Sequence, residues 1–355
     1  MIEIVHSLED IKEEEWNTLV GKDKVETMYK WLLFAENAPD EKRVTYCNVL
    51  YKDHKKIKGI LPAYYIETRL RDLATACGLL TLKKYLPKMK IPFTITQARI
   101  PYSVDSRYFG DPTHFYDCLN ALETFSKENN HSFLVLKDVN QKMDLPGYTY
   151  MEVLPAVYTT PYPSWDSYIT TQKKGKDIRY EYRKSVSHGT TTYLQKDLDG
   201  YYDVIHDLFL NVCEEHKSTI VYSKKYFERV EEFLSEYTKC LFAENNGEIV
   251  GYLYLLENQY AITCKFAGRD YTTQDPYVYF RLLYDLIKYS IKQKKPIYIE
   301  KATYEAKLRR GFKLKNKYCY MKPYHPLGDM YLTLIKRGNK QIMKKIEKIK
   351  SFDKN

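Results

Sequence analysis

The sequence lacks several patterns that would place it in a class of protein at once. Its 355 residues contain seven cysteines, scattered singly, with no Cys-x-x-Cys pair and no Cys/His cluster at zinc spacing. No run approaches the roughly 18 apolar residues of a membrane helix, and the N-terminus has no basic start followed by an apolar stretch. These absences predict a cytoplasmic protein with no metal site, no signal peptide and no membrane insertion.

The composition is that of a folded chain of two-domain size. Apolar residues make up 44% and charged residues 29%, which is typical of a globular protein, and 355 residues exceed one ordinary core. The net charge of +10 is uneven, because residues 301–355 hold 16 of the 56 Lys+Arg but only 4 of the 46 Asp+Glu. This tail and a second basic cluster at 173–184 suit a phosphate-bearing partner, although a solvated helix face explains the last twenty residues at least as well.

A hairpin pattern occurs twice in the chain. Asn48–Glu67 and Cys240–Glu257 each contain an apolar strand, a polar turn, an Ile-x-Gly step and a second apolar strand. The second turn contains Asn-Gly, which tolerates the positive φ of a tight turn. The alignment of the two segments predicts that Gly59 corresponds to Gly251.

A helix followed by a buried strand also occurs twice, at Phe115–Lys137 and at Tyr279–Lys301, with the same spacing of apolar residues. The repeat predicts an α/β (α+β) chain of two tandem units, each a mixed, mostly antiparallel sheet flanked by helices. A segment with prolines breaks both periodicities between the units. We therefore expect domains at 1–155 and 156–335, followed by a basic C-terminal helix at 336–355.

The second half resembles the GNAT acyltransferase superfamily. The resemblance rests on the Asn-Asn-Gly turn, the Ile-Val-Gly-Tyr strand, the crossover helix and the segment 303–313, TYEAKLRRGFK, whose Gly-Phe is similar to the one ending the penultimate helix of that fold. The tandem arrangement and the basic segment 167–189 are similar to the FemAB-like, peptidoglycan-bridge type branch. This resemblance implies tandem GNAT-like domains, of which the N-terminal one shapes the acceptor cleft and the C-terminal one is catalytic.

Two departures from these relatives bear on the donor. The stretch 266–276, where GNAT enzymes carry a Gly-rich loop for coenzyme A phosphates, has one glycine and no Gly-x-Gly, as in the FemAB-like branch. The long helical-hairpin arm of bridge-forming members, associated with charged tRNA, has no counterpart here. The resemblance thus implies an acyl thioester as co-substrate, from acyl-CoA or the phosphopantetheine of an acyl-carrier protein, with no tightly bound cofactor.

Acyl transfer requires a group that orients or deprotonates the attacking amine. It also requires a group that stabilises the tetrahedral oxyanion and an acid that protonates the leaving group. Glu300 ends a buried strand at the sheet edge where ligands bind, and Lys307 stands four residues before Gly311, where the GNAT tyrosine acid often lies. The candidate catalytic residues are Glu300, Tyr271, Tyr304 and Lys307. The candidate donor-binding residues are Lys265, Arg269, Arg179, Arg183 and Tyr277. An ion pair, a solvated cation or simple tyrosine packing is the alternative in each case.

Three functions remain open from the sequence. The leading hypothesis is N-acylation of a small, amino-acid-like amine by an acyl thioester, which predicts a shallow salt dependence of donor binding. The alternative is aminoacyl transfer from charged tRNA to a peptide or cell-wall precursor, which the basic tail favours. The third is an inactive tandem GNAT-like scaffold that binds an anionic partner.

Overall fold

The computed structural model describes residues 1–20, 23–38, 44–69, 92–103, 107–218, 221–299, 301, 303–326 and 328–354. The first half contains β1 (Ile2–Val5), α1 (Glu13–Val20), α2 (Tyr29–Glu36), β2 (Thr45–Tyr46), β3 (Asn48–Asp53), β4 (Lys56–Leu61), β5 (Tyr64–Arg69), β6 (Pro92–Gln97), β7 (Phe109–Gly110), α3 (Phe115–Glu128), β8 (Phe133–Val139) and β9 (Thr149–Thr159).

The second half contains α4 (Trp165–Thr171), α5 (Gly175–Ser187), β10 (Thr191–Gln195), α6 (Tyr202–Glu215), α7 (Lys224–Leu234), β11 (Thr238–Asn245), β12 (Glu248–Glu257), β13 (Ile262–Arg269), α8 (Val278–Gln293), β14 (Ile297–Ile299), α9 (Tyr304–Leu308), β15 (Lys313–Pro323) and α10 (Gly328–Lys354).

Both halves contain the same four-stranded antiparallel unit. Its strand order is β1-β3-β4-β7 in the first half and β10-β11-β12-β13 in the second. In each unit two helices connect the first strand to the next one in the order, and a crossover helix follows the fourth, as α3 or α8. Parallel pairing occurs beside these units, between β13 and β14 and between β6 and β8. The predicted fold, two mixed and mostly antiparallel units flanked by helices, is confirmed.

The two hairpins also share a bulge at the same place. One extra residue enters the second strand directly before the glycine, at Lys58 in the first half and at Val250 in the second. Gly59 and Gly251 follow it, and a side chain on either would collide with its neighbours. A Cβ on Gly59 would overlap the hydroxyl end of Tyr108, and one on Gly251 would lie 2.8 Å from a methyl group of Val278, the first residue of α8.

We therefore expect Gly59→Ala and Gly251→Ala each to lower the free energy of unfolding by about 1–3 kcal/mol, because overpacking forces the neighbouring ring or helix aside. Gly251→Ala should cost more, since its Cβ would also lie 3.3 Å from the backbone carbonyl oxygen of Gly268, whereas the Tyr108 hydroxyl is the far end of a side chain that can shift. Urea unfolding of both variants measures the effect. Unfolding midpoints equal to that of the wild type would show that neither glycine is held by close packing.

The last strands of the two halves are exchanged. β9, from the first half, lies between β14 and β15 of the second half, and β15 lies between β9 and β8 of the first. Over the described residues this arrangement joins strands of both halves into one eleven-stranded sheet. The predicted boundary after residue 155 thus falls within a strand that pairs entirely with the second half.

The C-terminal helix α10 begins at Gly328, earlier than the predicted 336. Tyr331, Leu332 and Ile335 pack against the central strands, whereas Ile349 joins the core of the second half. The helix α10 therefore packs against both the central strands and the core of the second half. Among the described residues, no helix combines the length and the apolar character that crossing a bilayer requires.

Candidate functional site

A cavity of about 1530 Å³ lies between the two halves. Its wall combines residues near the carboxyl ends of β8, β13 and β14 with residues of α5, α9 and α10. Among the described residues that line it, eleven are basic and five are acidic. The basic ones are Arg99, Lys137, Lys174, Lys265, Arg269, Lys301, Lys307, Arg309, Arg310, Lys345 and Lys348. The acidic ones are Asp138, Asp177, Glu181, Glu215 and Glu305. This excess of positive charge favours an anionic ligand.

Asp138 is a buried carboxylate surrounded by cations from both halves. Its side chain is 2% exposed and forms ion pairs with Lys301 and, at 3.6 Å, with Arg99. Lys317 donates to its backbone carbonyl at 3.3 Å. Burial alone would raise the pKa of the Asp138 carboxyl, but Lys301, Arg99 and Lys137 hold that pKa well below its usual range. The ionised carboxylate therefore fixes two cavity cations at the junction of the halves.

This depressed pKa predicts a pH-dependent contribution to stability. The pKa of Asp138 is lower in the folded chain than the roughly 3.9 of an unfolded one, so the charged form stabilises the fold above that pH and the contribution fades as the pH falls. We expect Asp138→Asn to lower the free energy of unfolding at pH 7, and to do so less at pH 3.

Urea unfolding at the two pH values measures this difference. Asp144→Asn, at an exposed carboxylate, is the control and should leave the free energy of unfolding nearly unchanged at both. An equal loss for Asp138→Asn at pH 7 and pH 3 would contradict this explanation, because at pH 3 the carboxyl of the unfolded chain is largely protonated and part of the stabilisation that the charge gives the folded chain is already lost.

Lys265 connects the two halves through a buried ion pair. Its Nζ lies 2.9 Å from Oε1 of Glu26, which belongs to the 3₁₀ turn Val25–Thr27, and it also donates to the carbonyl of Tyr102. The ammonium group lies 5.4 Å from the centre of the Trp31 ring. Lys265 lines the cavity, as a predicted donor-binding residue, and at the same time it holds the first half against β13.

Arg269 and Tyr271 lie beside Lys265 at the end of β13. The Arg269 guanidinium is 5.2 Å from the centre of the Tyr271 ring and donates to the carbonyl of Pro276 at 3.2 Å. The Tyr271 hydroxyl lies 3.4 Å from Nε2 of His216. The structure thus brings three of the predicted residues together on one cavity wall, while their chemical roles stay predictions.

Tyr304 and Lys307 line the same cavity from α9. The Tyr304 hydroxyl donates to the carbonyl of Pro155 at 2.8 Å, so its proton is already engaged. Lys307 is 2% exposed. Glu300 lies outside the described residues.

The other three predicted residues are not among the described residues that line the cavity. Arg179 and Arg183 are exposed on α5, where Nε of Arg183 donates to the carbonyl of Arg179 at 3.3 Å. Tyr277 lies at the start of α8, and its ring meets that of Tyr180 edge-on at 6.4 Å between centroids. Their role in donor binding stays a prediction. If it holds, these residues bind the donor outside this cavity.

One pair of cavity residues was not predicted. The Tyr279 hydroxyl and Oγ1 of Thr303 lie 3.0 Å apart. Thr303 has a φ of +45°, a conformation that is a genuine outlier for a β-branched residue and that occurs mainly at functional sites. Burial raises the pKa of the Tyr279 phenol, so it stays protonated at neutral pH. In the sequence Tyr279 begins a segment whose apolar spacing predicts a helix, and this periodicity gives no sign of a contact with Thr303.

The tandem antiparallel units, each with a crossover helix after the fourth strand, have a GNAT-like fold. The FemAB-like family model, described as peptidoglycan biosynthesis and recognition, matches residues 7–353, and the chain therefore belongs to that family. The resemblance seen in the sequence is confirmed. A comparison with curated proteins finds no match.

Solved structures share the fold over almost the whole chain. FemX superposes with a TM-score of 0.61 at 11% identity, covering 94% of this chain and 100% of that one. L-PGS from Bacillus licheniformis gives 0.56 at 10% identity over 94% and 98%. A tandem GNAT protein from the clavulanic acid biosynthesis pathway gives 0.52 at 10% identity over 92% and 99%. At these identities the likeness establishes the fold.

The predicted transfer of an acyl group from acyl-CoA or an acyl-carrier protein to a small amine is wrong. Membership in a family described by peptidoglycan biosynthesis overturns the small-molecule acceptor. The same family, together with FemX and the C-terminal domain of a putative lysylphosphatidylglycerol synthetase from Agrobacterium fabrum among the structural neighbours, favours aminoacyl transfer over transfer of other acyl groups. The alternative that the sequence left open is the better supported one.

Proposed function

We propose that the chain transfers an aminoacyl group from charged tRNA to an amine of a peptide or peptidoglycan precursor. The observation that carries this proposal is the cavity between the halves. Its volume of about 1530 Å³ exceeds the roughly 300–1,000 Å³ typical of a site for one small ligand. It thus offers room for the aminoacylated end of one substrate and the amine of another, within walls whose charge suits anionic partners.

The chemistry of this transfer assigns roles to the groups on the wall. The acceptor amine attacks the ester carbonyl, a C–N bond forms, the C–O bond to the ribose breaks, and the amine proton finally resides on the ribose oxygen. Lys307 is a buried cation that can stabilise the oxyanion formed on the way. Tyr279 keeps its proton and hydrogen-bonds to Thr303, so in this proposal it protonates the leaving ribose oxygen. Tyr304 is less suited, because Pro155 already accepts its hydrogen bond.

The test follows the mass of the acceptor. We expect a peptide amine derived from peptidoglycan to gain an aminoacyl group when the chain is incubated with a mixture of charged tRNAs, and the gain to vanish if the tRNA is first digested with ribonuclease. Acyl-CoA in place of tRNA should give no product. A product formed with acyl-CoA, or none with any charged tRNA, would refute the proposal. Because charged tRNA is a cytoplasmic substrate, the proposal places the reaction in the cytoplasm.

A further inference from the structure

One side of α10 is strongly basic. Six of its exposed residues are Lys336, Arg337, Lys340, Lys344, Lys345 and Lys348, which we call the basic stripe. Glu347 is the one exposed acid between its ends. Within the part of the chain that the structure describes, none of the six forms an ion pair, whereas the neighbouring Lys350 pairs with Glu152 at 3.6 Å. The described residues therefore do not neutralise the charge of the stripe.

Buried residues of α10 anchor the basic stripe to the fold, and one end of the stripe lies at the cavity. Leu332, Ile335, Ile346 and Ile349 are buried on the opposite side of α10 and anchor it. At a rise of 1.5 Å per residue, the eleven steps from Arg337 to Lys348 extend over about 16 Å, and the spacing of three or four residues keeps most of the cations on one side. Lys345 and Lys348 also line the cavity, so the stripe ends at its wall.

We propose that the basic stripe binds the phosphate backbone of the acceptor stem of a tRNA and thereby directs its 3′ end into the cavity; this inference rests on the proposed function. Only the end of a tRNA fits into such a cavity, so the stem must be held outside it. A row of unpaired cations beside the entrance meets that requirement, because phosphate neutralisation with counterion release supplies most of the sequence-independent affinity for nucleic acid.

An anionic membrane is the less suitable partner for this surface. Helices that lie in the interface of a bilayer bury large apolar side chains in it. Between Lys336 and Lys348, every described side chain that is exposed is charged. The stripe therefore fits a polyanion that is bound without insertion.

The experiment measures the affinity of the full chain for an uncharged RNA hairpin with a single-stranded 3′ tail, by fluorescence anisotropy at several salt concentrations. The variant combines Arg337→Gln, Lys340→Gln and Lys344→Gln, which lie outside the cavity lining. We expect it to bind roughly tenfold more weakly or worse, and the slope of log K against log salt to become shallower by about 2–3, since each phosphate contact contributes roughly −0.7 to −0.9. The wild type should thus show a steep salt dependence, the opposite of what a thioester donor predicts.

The matched control combines Lys12→Gln, Lys56→Gln and Lys58→Gln, three exposed lysines of the first half that carry the same total charge. It should bind the hairpin like the wild type. Equal affinity and slope for the stripe variant, an equal loss in the control, or binding of the stripe to phosphatidylglycerol vesicles in preference to RNA would each overturn the inference. Hairpin binding involves no transfer, so binding through the stripe without any aminoacyl product would refute the proposed function alone. Transfer from charged tRNA that is unaffected in the stripe variant would refute the docking surface alone.

Discussion

Replacement of Lys265 by methionine should lower the free energy of unfolding by about 3–5 kcal/mol, the loss expected when one partner of a buried ion pair is removed. Glu26 is 0% exposed, and without Lys265 its charge would remain in the interior with no cation at 2.9 Å. The loss of stability arises from burying the Glu26 carboxylate without a partner, rather than from the energy of the ion pair itself. Urea unfolding followed by circular dichroism measures it.

A double variant separates this explanation from simple loss of packing. Lys265→Met combined with Glu26→Met replaces the pair by two apolar side chains, which is often neutral or even stabilising, so most of the lost stability should return. Lys224→Met is the control, because Lys224 pairs with Asp203 at the exposed surface, where such pairs contribute little. A double variant as unstable as Lys265→Met would show that the carboxylate is not the cause.

The same double variant tests the predicted role of Lys265 in donor binding. If the ammonium group contacts the donor as well as Glu26, the restored fold should still bind RNA and charged tRNA more weakly than the wild type. An affinity equal to that of the wild type would confine Lys265 to joining the halves. Measuring both the free energy of unfolding and the RNA affinity thus distinguishes two roles of Lys265, joining the halves and binding the donor, which its position in the structure does not separate.

The fold could be predicted to the extent that its signals are local. The hairpins around Gly59 and Gly251 and the helices that follow depend on periodicity and turn residues within about twenty positions. The exchange of β9 and β15 could not be predicted in this way. Both strands are mixed apolar and polar segments, and the choice of partner strand depends on contacts between residues far apart in the chain.

In the candidate site, too, positions that depend on nearby residues could be predicted, whereas contacts between distant residues could not. Arg269 and Tyr271 could be placed at a sheet edge because they surround the end of one strand, whereas Lys265 lies in the middle of that strand. The ion pair of Lys265 with Glu26 spans 239 positions and leaves no local pattern. Asp138 was missed although a signal existed, since a carboxylate inside the buried strand Phe133–Val139 needs cations nearby.

The predicted thioester donor is wrong, because the absence of one RNA-binding element does not exclude tRNA as a substrate. The sequence shows no counterpart of the helical-hairpin arm of bridge-forming relatives, and this absence predicts a donor other than tRNA. The C-terminal helix offers basic side chains on a different element. Charge can be supplied by any exposed helix beside the entrance, so a missing element excludes one way of binding RNA and not the substrate.

Replacement of Lys307 by methionine should lower the rate of aminoacyl transfer by roughly 10²–10³, the loss typical of removing one oxyanion-stabilising group. The effect should fall on kcat, because the ammonium group would interact with a charge that exists only in the transition state. Lys307→Arg should recover little of the rate, since a guanidinium group keeps the charge but changes the geometry. Steady-state kinetics with charged tRNA measures both variants.

Lys313→Met is the matched control, because Lys313 is an exposed lysine of β15 that does not line the cavity; its kcat should equal that of the wild type. Since Lys307 is buried, urea unfolding must show that each variant is folded under the assay conditions, and Lys307→Gln provides a more polar replacement if methionine destabilises the chain. A raised KM with an unchanged kcat would mean that Lys307 binds an anionic group of the substrate in the ground state. An unchanged kcat and KM in a folded variant would remove Lys307 from the chemistry, and Tyr279 with Thr303 would then be the groups to substitute next.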